Sequence, residues 1–129
     1  MKALRITTDG DIELVELGAD RLQSYYDLIG CRCITSITPM PGCVLDGFHE
    51  PLTGWGDDEG LFVDEPQMNM TAMVLFGYPP EYALVGHWLI TGHSPDGDTT
   101  QPSDAVLSLA GKDIIDLIDF APGRGPTAG

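Results

Sequence analysis

Lys2-Ala3-Leu4-Arg5-Ile6-Thr7-Thr8-Asp9-Gly10-Asp11-Ile12-Glu13-Leu14-Val15-Glu16-Leu17 reads as two short strands, 2–7 and 12–17, around Thr8-Asp9-Gly10-Asp11. An Asp-Gly pair between such runs is a strong hairpin signal, because a tight turn needs positive φ. The chain therefore opens with antiparallel pairing. Asp20 then starts a helix, with Gln23 three residues on in a capping-box pattern. Leu22, Tyr25, Tyr26 and Ile29 fall on one helical face, and Gly30 stops the helix. Cys31–Ile37 is β-rich and predicts a third strand.

From Thr38 to Gly60 the regularity fails, because Pro39, Pro41, Gly42, Gly47, Pro51, Gly54 and Gly56 interrupt it. The expectation is a long acidic loop at 38–60, with a short hairpin inside it as an alternative, of the kind that is usually functional or disordered. Leu61-Phe62-Val63 resumes as a strand, and Pro66 leads a mostly apolar helix to Gly77. That helix places Met68, Ala72 and Leu75 on one face and Met70, Met73 and Val74 on another. Tyr82–Thr91 is apolar on both alternating faces, as a central strand would be. Ser94–Pro102 is a polar turn, Ala105–Leu109 is an edge strand or a helix lead, and Lys112–Phe120 is a helix. The sum is a single α+β domain over residues 1–120, a small antiparallel or mixed sheet with two to three helices. Residues 121–129 read as a flexible tail.

The chain has 129 residues, with 20 acids against 6 bases and a net charge of -14. No Lys or Arg lies between Arg32 and Lys112, while eleven acids do, seven of them within Asp46–Glu65. A surface without cations cannot pair its carboxylates, so this span should carry a one-signed negative field. Such a field repels phosphate backbones and anionic lipid, which excludes direct nucleic-acid binding and disfavours membranes. A basic protein surface, a hard cation or a neutral small molecule remains. An Asp-rich, Lys-poor balance also suits a surface adapted to high salt. The N-terminus lacks the apolar run of a signal peptide, and three cysteines do not suggest a disulfide framework, so a reducing cytoplasm is expected.

Met1–Leu4, Asp64–Ala72 and Val85–Gly92 together resemble the family catalogued as domain of unknown function 3846. These are small proteins of actinobacteria, their phages and plasmids. The family shows an acidic stretch, a helix led by Asn-x-x-Ala and a strand with Gly near its start; Asn69, Ala72 and Gly86 match those positions. The resemblance spans residues 1–37 and 60–105, and the Cys/Pro/Trp-rich stretch 38–59 departs from it. It implies a fold and a mobile-element context, and no mechanism.

Several residues are candidates for chemistry. Cys31 and Cys33, two apart on a strand, point the same way; with Cys43 and His49 they offer a Cys3His set for zinc. The spacing is not that of a zinc knuckle, and two strand cysteines packed as small hydrophobes with one loop cysteine is the favoured reading. Asp57-Asp58-Glu59 and Asp96-Gly97-Asp98 offer oxygens to a hard cation but lack a full calcium loop. Asn69, inside an apolar helix, is either a ligand contact or a buried amide that pins the long loop. His87 and His93 flank Trp88, and no catalytic constellation assembles around them. Trp55, in the acidic loop, is an interface anchor or part of a lid folded over the core.

The favoured expectation is a non-enzymatic acidic protein that binds a basic protein, the carboxylates imitating a phosphate array as in a DNA mimic. Its binding residues would be Trp55, Asp57, Asp58, Glu59, Asp64 and Glu65. The alternative is a small-ligand or zinc-binding module sited between loop 38–60 and the Asn69 helix.

Overall fold

In the computed structural model, which describes residues 1–59 and 65–113, the opening hairpin forms as expected. Strand β1 (Lys2–Ile6) pairs antiparallel with β2 (Ile12–Glu16), in register from Lys2↔Glu16 to Ile6↔Ile12. Gly10 takes φ 95, and its N–H donates to the Thr7 carbonyl at 3.0 Å, closing the turn. Helix α1 (Arg21–Ile29) starts where Asp20 accepts from the Gln23 N–H and ends at Gly30, φ 78. Only half of the capping box closes, since the Gln23 side chain donates to Asp27 instead. Tyr25 and Ile29 are buried, whereas Leu22 is exposed; a nine-residue helix buries only a narrow stripe here.

Strand β3 (Ile34–Ile37) begins three residues later than its β-rich sequence suggests. The expected loop at 38–60 is not a single loop. After a 3-10 turn at Asp46–Phe48, strand β4 (Leu52–Asp57) runs through it, between β3 and β5 (Trp88–His93). Gly54 and Gly56 look like loop punctuation in the sequence, yet they serve close packing inside a strand. A Cβ on Gly54 would lie 2.5 Å from Phe76 Cζ, and one on Gly56 would lie 2.4 Å from Trp88 Cε2.

Helix α2 (Met70–Phe76) begins at the Asn69 cap, later than Pro66 suggests. The residues before it are held extended: Met68 bridges Val85, and the Gly86 N–H donates to the Gln67 carbonyl. Likewise the strand expected over 82–91 starts only at Trp88 and runs on to His93 as β5, preceded by a 3-10 turn at Pro80–Tyr82 and by Gly86 at φ 74. Strand β6 (Thr99–Thr100) pairs β5 within the stretch read as a polar turn, and α3 (Asp104–Leu107) follows. The strand expected at 61–63, most of the helix expected at 112–120 and the tail at 121–129 lie outside the described residues.

All the pairings are antiparallel, in the order β2-β1-β5-β4-β3, with β6 off β5. Alternation along the strands divides the core in two. Leu4, Ile6, Trp88 and Ile90 face α2 and α3, packing with Leu75, Phe76 and Val106. Ala3 and Leu89 face α1, packing with Tyr25 and Ile29. Among the described residues no helix is long and apolar enough to cross a membrane.

Candidate functional site at the end of β4

The β4 sequence Leu52-Thr53-Gly54-Trp55-Gly56-Asp57 puts different chemistry on its two faces. Gly54 and Gly56 leave the α2 face bare for Phe76 and Trp88. Thr53, Trp55 and Asp57 alternate onto the α1 face. There Trp55 stacks on Tyr25, ring centroids 4.8 Å apart, and its indole N–H donates to Thr91 Oγ1 at 2.8 Å. Trp55 is thus a packed strand residue rather than part of a flexible loop. Further along the strand, His93 Nδ1 lies 2.7 Å from Thr53 Oγ1.

At the strand's end the three consecutive acids form a tight turn. The Asp58 N–H donates to the Cys33 carbonyl at 3.0 Å, and the Glu59 N–H donates to Asp57 Oδ1 at 2.9 Å. Asp58 and Glu59 are exposed and Asp57 is half-buried. Asp57 lies where two cavities adjoin. The first, about 350 Å³, has Ile37, Tyr78, Leu84, Val85 and Trp88 as apolar walls, with Asp57, Asp58 and Glu81 as its acidic members. The second, about 210 Å³, gathers Asp57, Glu65, Gln67, Thr8 and His87 beside Ile29 and Gly30 at the end of α1. The tertiary structure thereby brings Asp57, Glu65 and His87 to one cleft and Asp57 and Asp58 to the other. Asp64 lies outside the described residues.

His87 is held by its backbone neighbours. Its Nδ1 accepts from the Thr8 N–H at 3.4 Å. Asn69 lies beneath, fully buried, with its Nδ2 donating to the Ile6 and Gly86 carbonyls at 2.9 Å each. Its Oδ1 accepts from the Ala72 N–H at 3.0 Å. Both amide protons are spent on backbone, so Asn69 is a positioning residue and not a ligand contact. What it pins is the approach to His87 and the end of β1, rather than residues 38–60.

The zinc set does not converge. Cys31 packs against the α1-side core and Cys43 against the α2-side core, with the sheet between them. His49 is exposed after the 3-10 turn, at φ 56. Among the described residues no three His, Cys, Asp or Glu side chains gather as a metal site requires, the two acidic turns included. The thiols are also poor thiolates. Burial, then the Asp57 charge, pushes Cys31 up to about 11; a hydrogen bond to Glu59 and its charge raise Cys33; burial raises Cys43. Metal ligation and nucleophilic attack both need the opposite shift.

Sequence reading missed Tyr78, Glu81 and Tyr82 as site residues. Pro79-Pro80 was the signal available, since such a pair breaks a strand and sets off a surface segment. Tyr82 is 69% exposed in the first cavity's wall.

The family model for the domain of unknown function DUF3846 matches residues 1–114. The chain belongs to this family. The match runs through residues 38–59, the stretch whose composition departs from the resemblance, and so includes β4. Comparison with curated proteins and with solved structures finds no match.

Proposed function

We propose that this chain is an acidic binding protein that takes a basic protein partner at the Asp57 end of β4. The observation that carries this reading is the meeting of two cavities at Asp57, each with carboxylate members. No Lys or Arg in the sequence between Arg32 and Lys112 offsets them. Apolar walls beside carboxylates suit a segment that brings both an apolar side chain and a cation. Tyr82, exposed and adjacent to Glu81, is the natural anchor, because tyrosine buries a large rigid area on contact. The net charge of -14 would steer such a partner and make association fast and salt-sensitive. DNA mimicry is the wider form of the same proposal, in which the partner is a nucleic-acid-binding or defence protein met by a phage or plasmid product.

A small-ligand role finds support in the cleft around His87, but at about 210 Å³ it is smaller than the roughly 300–1,000 Å³ of most ligand pockets. It fits better as a subsite of the same acidic end.

The test is capture from the source cell's lysate at low salt with elution at high salt, followed by titration of the captured protein. Affinity should fall steeply with salt, and D57N/D58N/E59Q should lower it at least tenfold. An affinity that stays flat across salt would sink the proposal.

A further inference from the structure

Strand β3 is the last in the sheet order and pairs only β4 among the described residues. Its hydrogen-bonding phase can be read directly. The Asp58 N–H donates to the Cys33 carbonyl, and Cys33 and Asp58 continue the register Ile34↔Asp57. In an antiparallel ladder, bonded and non-bonded pairs alternate. Thr35 and Ile37 therefore spend their backbone groups on β4, while the N–H and C=O of Ile34 and Ser36 face away from the sheet.

The two sheet edges differ in how they are guarded. On β2, Glu13 pairs with Arg5 at 2.8 Å and Glu16 with the N-terminal amine at 3.0 Å, so that edge carries charge. Strand β3 reads Ile-Thr-Ser-Ile, without a charge, a proline or a glycine. An edge of that kind is a template for another strand. It also borders the groove, since Thr35 and Ile37 line the same cavity as Trp88, Asp58 and Glu81.

We infer that the partner docks as an extended basic-apolar segment that adds a strand to the Ile34–Ile37 edge, alternate side chains entering the groove beside Trp88. This rests on the proposed function and specifies its partner. Backbone hydrogen bonds supply affinity and the groove selects side chains, as in other strand-addition complexes. Charge decides the occupant. A second copy would bring another net charge of -14 to an edge whose Ile34 end lies opposite Asp57 of β4, with Asp58 and Glu59 following, whereas a Lys- or Arg-bearing segment complements it. A four-residue edge accommodates roughly 13 Å of partner strand.

The probe is a blocked peptide of about seven alternating lysines and valines, long enough to overhang the edge. Its alternating glutamate-valine counterpart serves as control. Fluorescence anisotropy against the full chain, from about 50 to 500 mM salt, is paired with amide hydrogen exchange. The lysine peptide should bind at low salt, weaken at least tenfold at high salt, and slow exchange of the Ile34 and Ser36 amides at least tenfold. Ser36→Pro removes an outward N–H without touching the β3–β4 ladder, so it should keep the unfolding midpoint and weaken the peptide tenfold. N-methylating the peptide's edge-facing amides should do the same to wild type.

Peptide binding with no change at Ile34 and Ser36 overturns strand addition, while the basic-partner reading stands on its own salt test. Equal binding of the glutamate peptide, or no binding of the lysine peptide, overturns the inference. Protection already present in the free protein assigns the edge to another part of the chain or to a second copy, and overturns it too.

Discussion

The Asn69 side-chain nitrogen donates to the Ile6 carbonyl at 2.9 Å, joining residues 63 apart in sequence. The same group reaches Gly86, and the Asn69 backbone N–H donates to Leu84 at 2.7 Å. One buried side chain thus ties the end of β1, the start of α2 and the approach to β5, and in doing so sets where His87 stands. Asn69→Ala removes the cap and strands two buried carbonyls, at a cost of about 3 kcal/mol. Urea unfolding measures it, and a loss under about 1 kcal/mol would refute the assigned role.

Asn69→Asp separates the two halves of that role. The carboxylate can still cap Ala72, but it turns an acceptor toward two carbonyls, which raises its folded-state pKa above the unfolded value. The stability of this variant is therefore greatest at low pH and falls as pH rises through the raised pKa. The wild-type-minus-variant difference in unfolding free energy should be larger at pH 7 than at pH 4. Equal differences at both would contradict the geometry.

Gly56→Ala meets the Trp88 indole and Gly54→Ala meets the Phe76 ring. Each should cost about 1–3 kcal/mol, because a Cβ within 2.5 Å of a ring forces a shift among packed side chains. In a double mutant with Trp88→Leu, Gly56→Ala should cost much less than it does alone. Additive losses would mean that the strand, and not the ring contact, demands glycine.

Trp55 and Tyr82 should behave oppositely. Trp55→Phe leaves the stack on Tyr25 but deprives the buried Thr91 hydroxyl of its donor, lowering stability by about 1 kcal/mol with partner affinity changed less than twofold. Tyr82→Ala, at an exposed site, should leave stability within about 0.5 kcal/mol and weaken the partner at least tenfold. Calorimetric titration alongside thermal unfolding distinguishes them, and the reverse pattern would make Trp55 the anchor.

Cys31 supplies a pH signature. Its thiol rises from 9.0 to about 11 on folding, so its contribution to stability is complete below pH 9 and is lost as pH climbs toward 11. Between those values Cys31→Ala should show a shallower fall in unfolding free energy than wild type. Parallel curves would show that the thiol titrates alike in both states.

Local signals are legible in the sequence where one short segment decides the outcome. The Asp9-Gly10 turn, the Asp20 cap and the Gly30 stop each act through their own few residues, and each appears where expected. Where the deciding neighbour is distant, reading from the chain failed. Gly54 and Gly56 suggest a loop unless Phe76 and Trp88 are known to lie over them. Pro66 suggests a helix start unless residues 67–69 are known to pair with 84–86.

What the sequence determined by itself was the antiparallel opening, the caps, the family resemblance and the one-signed charge from Arg32 to Lys112. These depend on composition and on contacts within a few residues, which the order of amino acids states outright. Only the tertiary structure decided that Asp57, Glu65 and His87 share a cleft, that Cys31 and Cys43 stand on opposite sides of a sheet, and that β3 is an edge among the described residues. Those relationships follow from the order in which strands pair. Strand order is settled by packing the whole core at once, so no local pattern encodes it.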